Sequence, residues 1–415
     1  DLGLLKTKAV PKGNGTYEIT GQKIFITSGD HDLTENIIHL VLARTTDAPK
    51  GTKGISLFLV PKFEVSDDGV VGSRNGVSTN SIESKMGIKG SPTCVLNFEN
   101  SKGIMIGPEN KGLNSMFTMM NLERIVVGVQ GLGIAETAYQ NAVAYSKERK
   151  QGKANNSKNG ETDLIIKHAD IRRSLMNMKS IIEGQRSFAF WLSQQIDVSL
   201  SHDDKDVRGD ASNMVALLTP VIKSFFTDNG VEITNDAIQV FGGYGYTKDQ
   251  GIEQLFRDNR ITPIYEGTNS VQAIDLVYRK ISSEGIFENF IKSMDTEIKN
   301  YKNEKNLESF LNIFEKYKEI LVSFTKWMRE KIKSNKDDAS AACNDYLKVL
   351  GYTALAFAWI KTLKISFEKQ NSNKEFYEDK INTGKYYFEK ILPRAQSHYV
   401  VGTSGSHTTM SAKFN

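Results

Sequence analysis

Residues 239–268 hold the side chains in this sequence that are best suited to chemistry. A glycine-rich segment, QVFGGYGY at 239–246, is followed by PIYEGT at 263–268, in which apolar and aromatic residues and a glycine surround Glu266. A carboxylate that loses hydration in such a setting has a raised pKa and makes a competent general base. Glu266 could equally be a surface acid before the helix predicted over 269–281. The spacing alone leaves both interpretations open.

The first hundred residues carry the pattern of short β-strands. Alternating or buried-type apolar runs are separated by Gly, Asn, Asp and Pro, and they lie at 16–20, 23–27, 37–42, 54–61 and 95–98. Such runs predict a small β-barrel or β-sandwich. We assign it to residues 1–105 and expect it to be incomplete at its N-terminus.

After Gly112 the apolar residues recur every three or four positions, which is typical of long packed helices. The pattern covers 113–150, 162–200 and 211–240, and Pro220 should kink or split the third helix. Aromatic and aliphatic residues recur helically beyond residue 281 as well. We predict an α+β multidomain fold: a β-rich middle domain, a four-helix-bundle domain at 106–281 and an additional helical domain at 282–415.

Composition excludes several classes of protein. The chain has 415 residues, 39% of them hydrophobic, and a formal charge of +4 without a dense basic block, which argues against nucleic-acid binding. Its two cysteines are far apart and its six histidines lack metal-ligand spacing, so we predict no metal site and a cytoplasmic, reducing compartment. No membrane span or signal peptide is visible, although the chain begins at Asp1 without a methionine.

Two further patterns have simple explanations. The segment GVQGLGIA at 128–135 is similar to part of a dinucleotide-binding fingerprint, but it follows no predicted strand, so close helix packing is the preferred interpretation. Met116, Met119 and Met120 fall at helical spacing, which favours a core stripe over the lining of an acyl pocket.

Five segments in this order resemble the acyl-CoA dehydrogenase family over residues 1–281. They are residues 19–27, 123–124, 148–149, 239–245 and 264–268. Within the family, the GDHDLTEN loop at 29–36 and the additional C-terminal region resemble the longer bacterial branch that includes 3-methylmercaptopropionyl-CoA dehydrogenase. The resemblance implies an N-terminal helical domain, a β middle domain and a C-terminal four-helix domain. The first of these is expected to be missing here.

The resemblance also implies the chemistry. Glu266 would remove a proton from the carbon next to the thioester carbonyl of an acyl-CoA while a hydride leaves the neighbouring carbon for FAD, giving a 2,3-enoyl-CoA. Electrons would then pass to an electron-transfer flavoprotein. The substrate could be 3-methylmercaptopropionyl-CoA.

The site residues implied by the resemblance fall into two groups. The expected flavin contacts are Phe25, Thr27, Ser28, Arg149, Gln239, Gly243 and Thr268. The expected substrate contacts are Arg124, near the CoA moiety, with Tyr265 and Gly267. Arg149 would meet the flavin of a neighbouring subunit, which implies a homo-oligomer.

Each of these roles has a structural alternative, and the function has alternatives too. Arg149 could be a solvated helix end, Thr268 a helix N-cap, and Arg124 a surface ion pair with Glu123 or another neighbour. An acyl-CoA oxidase would share the chemistry. A flavin-binding stress-response or nucleic-acid-associated protein would share the fold, but its expected basic face is absent from a C-terminal region in which lysines alternate with acids.

Overall fold

The chain divides into two compact units, residues 1–123 and residues 124–415. A computed structural model describes residues 1–155 and 162–414. The boundary between the units falls within the first long helix, and each unit is described by itself below. The three-domain division made from the sequence stays a prediction.

The first unit is built from eight strands. They are β1 (Lys8–Pro11), β2 (Thr16–Thr27), β3 (Ile38–Ala43), β4 (Ser56–Pro61), β5 (Phe63–Val65), β6 (Val71–Arg74), β7 (Val77–Ile82) and β8 (Thr93–Ile106). Six of them form one antiparallel sheet in the order β1-β2-β8-β4-β3, with β7 also paired to β8, and β5 pairs with β6 separately. A parallel bridge between Lys8 and Arg44 brings β1 beside the end of β3. The β-rich part of the predicted fold class is confirmed, and the strand pairings among the described residues do not define a closed barrel.

Strand β2 is irregular near its end. Its register against β8 shifts between Lys23 and Ile26, where Phe25 takes a φ of +58° and leaves its ring 68% exposed. Positive φ is uncommon for a bulky residue. Residues such as Ile19, Phe58 and Leu96 form the buried core of the unit.

The second unit is helical. Its elements are α1 (Gly112–Ser146, which begins in the first unit), α2 (Ala169–Ser201), α3 (Lys205–Phe241), α4 (Ile252–Asn259), α5 (Asn269–Asp275), α6 (Ile286–Lys299), α7 (Glu308–Ser334), α8 (Lys336–Lys369), α9 (Lys374–Tyr386), α10 (Arg394–Thr403) and α11 (His407–Met410). Segments of π-helix follow α5 at Leu276–Ile281 and α9 at Tyr387–Ile391. The predicted bundle and the additional C-terminal helices are therefore present.

Helix α3 is unbroken at Pro220, so of the two predicted outcomes the split is wrong and the kink stays a prediction. Pro220 is buried inside a helix that Asp204 caps by accepting hydrogen bonds from two backbone N–H groups. The neighbouring residues Leu217, Leu218 and Val221 are completely buried. Burial of this run on both sides of the proline outweighs the local cost of one missing backbone hydrogen bond.

One hydrophobic core extends from Ile125 in α1 to Ala395 in α10. Close approaches join its helices: a Cβ at Gly128 would lie 2.5 Å from Cγ2 of Ile222, and one at Gly184 would lie 2.7 Å from Nε1 of Trp359. Gly128 in the 128–135 segment therefore serves helix packing, whereas a Cβ on Gly133 would have no heavy atom within 4 Å. No helix of the described residues is long and apolar enough to cross a membrane.

Candidate active site

Glu266 lies in the connection between α4 and α5 with an uncommon backbone conformation. It is half-buried and has a φ of +56°, and Gly267 follows with a φ of +82°. Strain of this kind in a non-glycine residue persists only where surrounding contacts hold it, and it concentrates at functional sites. Thr268 then caps α5, its Oγ1 accepting a hydrogen bond from the N–H of Val271 at 3.4 Å.

Three hydrogen bonds hold the Glu266 loop in place. Gln272 is completely buried, and its Nε2 donates a hydrogen bond to the carbonyl oxygen of Glu266 at 2.9 Å. The hydroxyl of Tyr265 donates to Oε1 of Gln130 in α1. The backbone N–H of Asn269 donates to the carbonyl of Pro263 at 3.0 Å. The position of Glu266 is therefore fixed from both sides of the loop.

Two buried cations lie within electrostatic range of Glu266. Arg124 is 8% exposed, its Nη1 lies 4.0 Å from Oδ2 of Asp275, and burial lowers its pKa while Asp275 and Glu266 oppose that shift. Lys223 is completely buried, and burial lowers its pKa to about 8 while Asp228 and Glu266 act in the opposite direction. Glu266 therefore interacts electrostatically with both buried cations.

A separate group of predicted residues lines an open cleft of about 740 Å³ in the second unit. Arg149, Gln239 and Gly243 all face it, and the Arg149 guanidinium lies over the ring of Tyr244 at 5.7 Å. A Cβ placed on Gly243 would have no heavy atom within 4 Å. The planar guanidinium of Arg149 offers several N–H donors to the cleft, and part of the cleft wall is glycine. This arrangement suits a phosphate-bearing ligand.

The base of this cleft is stiffened by pairing and stacking. The backbone N–H of Ile165 donates to the carbonyl of Arg149 at 2.8 Å, and Nε2 of His168 lies 2.8 Å from the carbonyl oxygen of Gln151. Tyr145 stacks on Phe241, with ring centroids 4.2 Å apart. The Arg149 carbonyl is consequently paired, while its side chain is exposed just beyond the end of α1, so the flavin contact and the solvated helix end both stay open.

The structure groups the predicted site residues in three places. The α4–α5 connection holds Glu266 together with Tyr265, Gly267 and Thr268. Arg124 interacts electrostatically with Glu266. Arg149, Gln239 and Gly243 share the cleft. Phe25, Thr27 and Ser28 share the end of β2 in the first unit, where the N–H of Ser28 donates to the carbonyl of Pro92 at 2.8 Å.

The structure bears on two of the structural alternatives. Arg124 is buried, so its predicted surface position is wrong, and its Nη1 lies 4.0 Å from Oδ2 of Asp275. Thr268 does cap α5, which leaves open a second role. The flavin and substrate roles of the predicted residues stay predictions.

Sequence reasoning missed the residues that support Glu266. Lys223, Asn269, Gln272 and Gln130 were not singled out, although each contacts or influences the loop. One signal was available for Lys223, because it is the only charged residue in the apolar run 214–226. No comparable signal was available for Gln130 and Gln272, because an isolated glutamine in a helix is usually a surface residue.

Comparison with known proteins covers almost the whole chain. Three family models match in order: the acyl-CoA dehydrogenase middle domain at residues 1–101, the acyl-CoA dehydrogenase C-terminal domain at 110–281 and an acetyl-CoA dehydrogenase C-terminal-like domain at 290–413. A butyryl-CoA dehydrogenase of Syntrophomonas wolfei is 34% identical over 411 residues, which are 95% of this chain and 67% of that protein. The chain belongs to the acyl-CoA dehydrogenase family.

The share of a relative's length that this chain covers differs between relatives. The 3-methylmercaptopropionyl-CoA dehydrogenase of Ruegeria pomeroyi is 44% identical over 285 residues, which are 69% of this chain and 48% of that protein. The chain thus spans about half the length of this family member. An acyl-CoA dehydrogenase from Bacillus anthracis, solved as a complex with FAD, has a TM-score of 0.74 and 20% identity over 98% of this chain and 68% of that one. That likeness concerns the fold.

Proposed function

We propose that this protein catalyses the FAD-dependent α,β-dehydrogenation of an acyl-CoA thioester to a 2,3-enoyl-CoA. The observation that carries the proposal is the position of Glu266, a half-buried carboxyl in a strained backbone conformation, with Lys223 and Arg124 in electrostatic range. Membership of the family supports the same reaction, and relatives named for acyl-CoA substrates support the substrate class.

FAD suits the residues that line the cleft. The guanidinium of Arg149 would hold the pyrophosphate of FAD. The open space beside Gly243 would accept the adenosine end of FAD against the protein backbone. The residues at the end of β2, Phe25, Thr27 and Ser28, would contribute further contacts, as would Thr268. A bound FAD would supply the acceptor for the hydride that leaves the β-carbon of the substrate. Because the family resemblance assigns the Arg149 contact to a neighbouring subunit's flavin, we also propose a homo-oligomer.

The protein's own residues would handle the proton. The carboxylate of Glu266 would accept it from the α-carbon, while the hydrogen bond from Gln272 to the Glu266 carbonyl keeps the loop from rotating. Tyr265 and Gly267, on either side of the base, would contact the acyl group, and Arg124 would lie towards the CoA moiety. We propose 3-methylmercaptopropionyl-CoA or a short-chain acyl-CoA such as butyryl-CoA as substrate, and an electron-transfer flavoprotein as the acceptor.

Anaerobic flavin bleaching tests the proposal. The FAD-loaded protein is mixed with a panel that includes both compounds, and absorbance at the flavin maximum is followed. We expect Glu266→Gln to retain FAD and to lose about 10³-fold in the rate of reduction. The matched control is Glu284→Gln, which removes an exposed carboxylate from the turn before α6.

Three outcomes bear on the proposal. Bleaching by one of the panel compounds that is lost only in Glu266→Gln supports it. Wild-type rates in Glu266→Gln would remove Glu266 from the role of base. Rapid peroxide formation in air would instead identify an oxidase, which shares the proton chemistry but uses oxygen as the acceptor.

A further inference from the structure

Lys223 is a buried ammonium group held against the loop that carries Glu266. It lies in the middle of α3 with no exposed surface, and its Nζ donates a hydrogen bond to Oδ1 of Asn269 at 2.8 Å. Asn269 is three residues beyond Glu266. A charged group without solvent contact is expensive to bury, so its retention inside an otherwise apolar run needs an explanation.

Asn269 cannot turn away from the ammonium group, because its other contacts fix it. Its Nδ2 donates to Oδ1 of Asp228 at 2.7 Å and to Oγ1 of Thr227 at 3.0 Å. Its backbone N–H donates to the carbonyl of Pro263 at 3.0 Å. The amide therefore bridges α3 and the loop, and it fixes the Lys223 ammonium group against the loop that carries Glu266.

The charged groups around this pair come from several elements. Arg124 of α1 and Asp228 of α3 act on Lys223 together with Glu266. Arg124 is in turn influenced by the charges of Asp275 and Arg279. Asp228 is influenced by Lys348 of α8 and by Arg260, which follows α4. Lys223 has a pKa of about 8, so it is protonated at pH 7 and adds a positive charge to the surroundings of Glu266.

We propose that Lys223 is a positioning residue whose buried charge keeps Glu266 ionised and ready to accept the substrate proton. This inference rests on the proposed function, because it assumes that Glu266 is the base. Neutralising Lys223 removes a favourable interaction of the carboxylate, and the carboxyl of Glu266 then holds its proton to higher pH.

Two variants separate the charge from the hydrogen bond. Lys223→Met removes both, whereas Lys223→Gln removes the charge and keeps a donor for Oδ1 of Asn269. The control is Thr234→Val, a completely buried change on the same helix that alters no charge. Each FAD-loaded variant is compared through its pH profile of kcat/KM for flavin reduction, and the carboxyl of Glu266 is titrated directly by ¹³C NMR with Glu266→Gln as the assignment variant.

We expect the acidic limb of kcat/KM and the NMR midpoint to move up by about one pH unit in both Lys223 variants. Below that limb, kcat/KM should then fall about tenfold at a given pH, because one pH unit is a tenfold change in the ionised fraction. Thr234→Val should leave both midpoints in place. If Lys223→Met does not fold, Lys223→Gln and its titration provide the same test.

Unchanged midpoints in Lys223→Gln would overturn the proposal, and a shift confined to Lys223→Met would assign the effect to the hydrogen bond. The inference and the proposed function can fail separately. If Glu266→Gln reduces its flavin at the wild-type rate, the proposed function fails. If Glu266→Gln is inactive and neither Lys223 variant moves a midpoint, only the role of Lys223 fails.

Discussion

Gly267→Ala should destabilise the protein and disturb the base, because two separate features of this position oppose a methyl group. Gly267 has a φ of +82°, and a Cβ would lie 2.9 Å from Nε2 of Gln272. The left-handed backbone alone costs an alanine about 1 kcal/mol. Displacing the buried Gln272 amide also breaks its part-buried hydrogen bond to the Glu266 carbonyl, which adds about 1 to 2 kcal/mol.

Gly251→Ala is the matched control for the backbone term. Gly251 lies in the same unit and has a φ of +66°, but a Cβ there meets no heavy atom within 4 Å. We therefore expect a loss of about 1 kcal/mol in Gly251→Ala and about 2 to 3 kcal/mol in Gly267→Ala. Urea unfolding followed by tryptophan fluorescence measures both, because Trp191, Trp327 and Trp359 all lie in the second unit.

The same pair of variants tests whether the Glu266 loop is held by Gln272. Flavin reduction should slow about 100-fold in Gly267→Ala, because a displacement of this order at a reacting group has that effect, and it should be unchanged in Gly251→Ala. Equal losses of stability in the two variants, with equal rates of flavin reduction, would refute the reasoning. They would mean that the Gln272 contact neither stabilises the loop nor orients the base.

Two further predictions concern the stability of the helical unit. Trp359→Ala should lower the free energy of unfolding by about 3 to 5 kcal/mol, because the ring is 1% exposed and its Nε1 donates to the carbonyl of Ser180 at 3.0 Å. Urea unfolding measures this loss, and a loss below about 1 kcal/mol would contradict the prediction. The Arg329 hydrogen bond is the main cause that lowers the pKa of Glu288 to about 2, so the stabilisation is present above about pH 5 and is lost as the pH falls towards 2. The difference in thermal midpoint between wild type and Glu288→Gln should therefore shrink over that range, and a difference independent of pH would count against the pairing.

The sequence predicted the elements and singled out Glu266 because both depend on local patterns. Strand alternation before Ser101 and helical periodicity after Gly112 are properties of neighbouring residues. The apolar and glycine setting of Glu266 is local as well. Boundaries were less accurate: α2 begins at Ala169 instead of 162, because Ile165 pairs with the Arg149 backbone.

Long-range contacts were beyond the sequence. The unbroken helix at Pro220 depends on tertiary burial of its neighbours, which outweighs a local rule. The link from Lys223 through Asn269 to the Glu266 loop joins residues more than 40 positions apart. Only the fold brings such groups together, and no periodicity in one sequence encodes their distance.

The continuous core of the second unit has a consequence for cooperativity. The core passes from α1 through α3 to α8 and α10, and the ring of Phe225 would lie 2.5 Å from a Cβ on Gly351. Helices beyond residue 281 therefore form the far wall of the packing that supports α3, the helix carrying Lys223. A change in the last hundred residues that loosens α8 reaches the loop that carries Glu266 without touching it, so the C-terminal helices share in setting the rigidity of that loop.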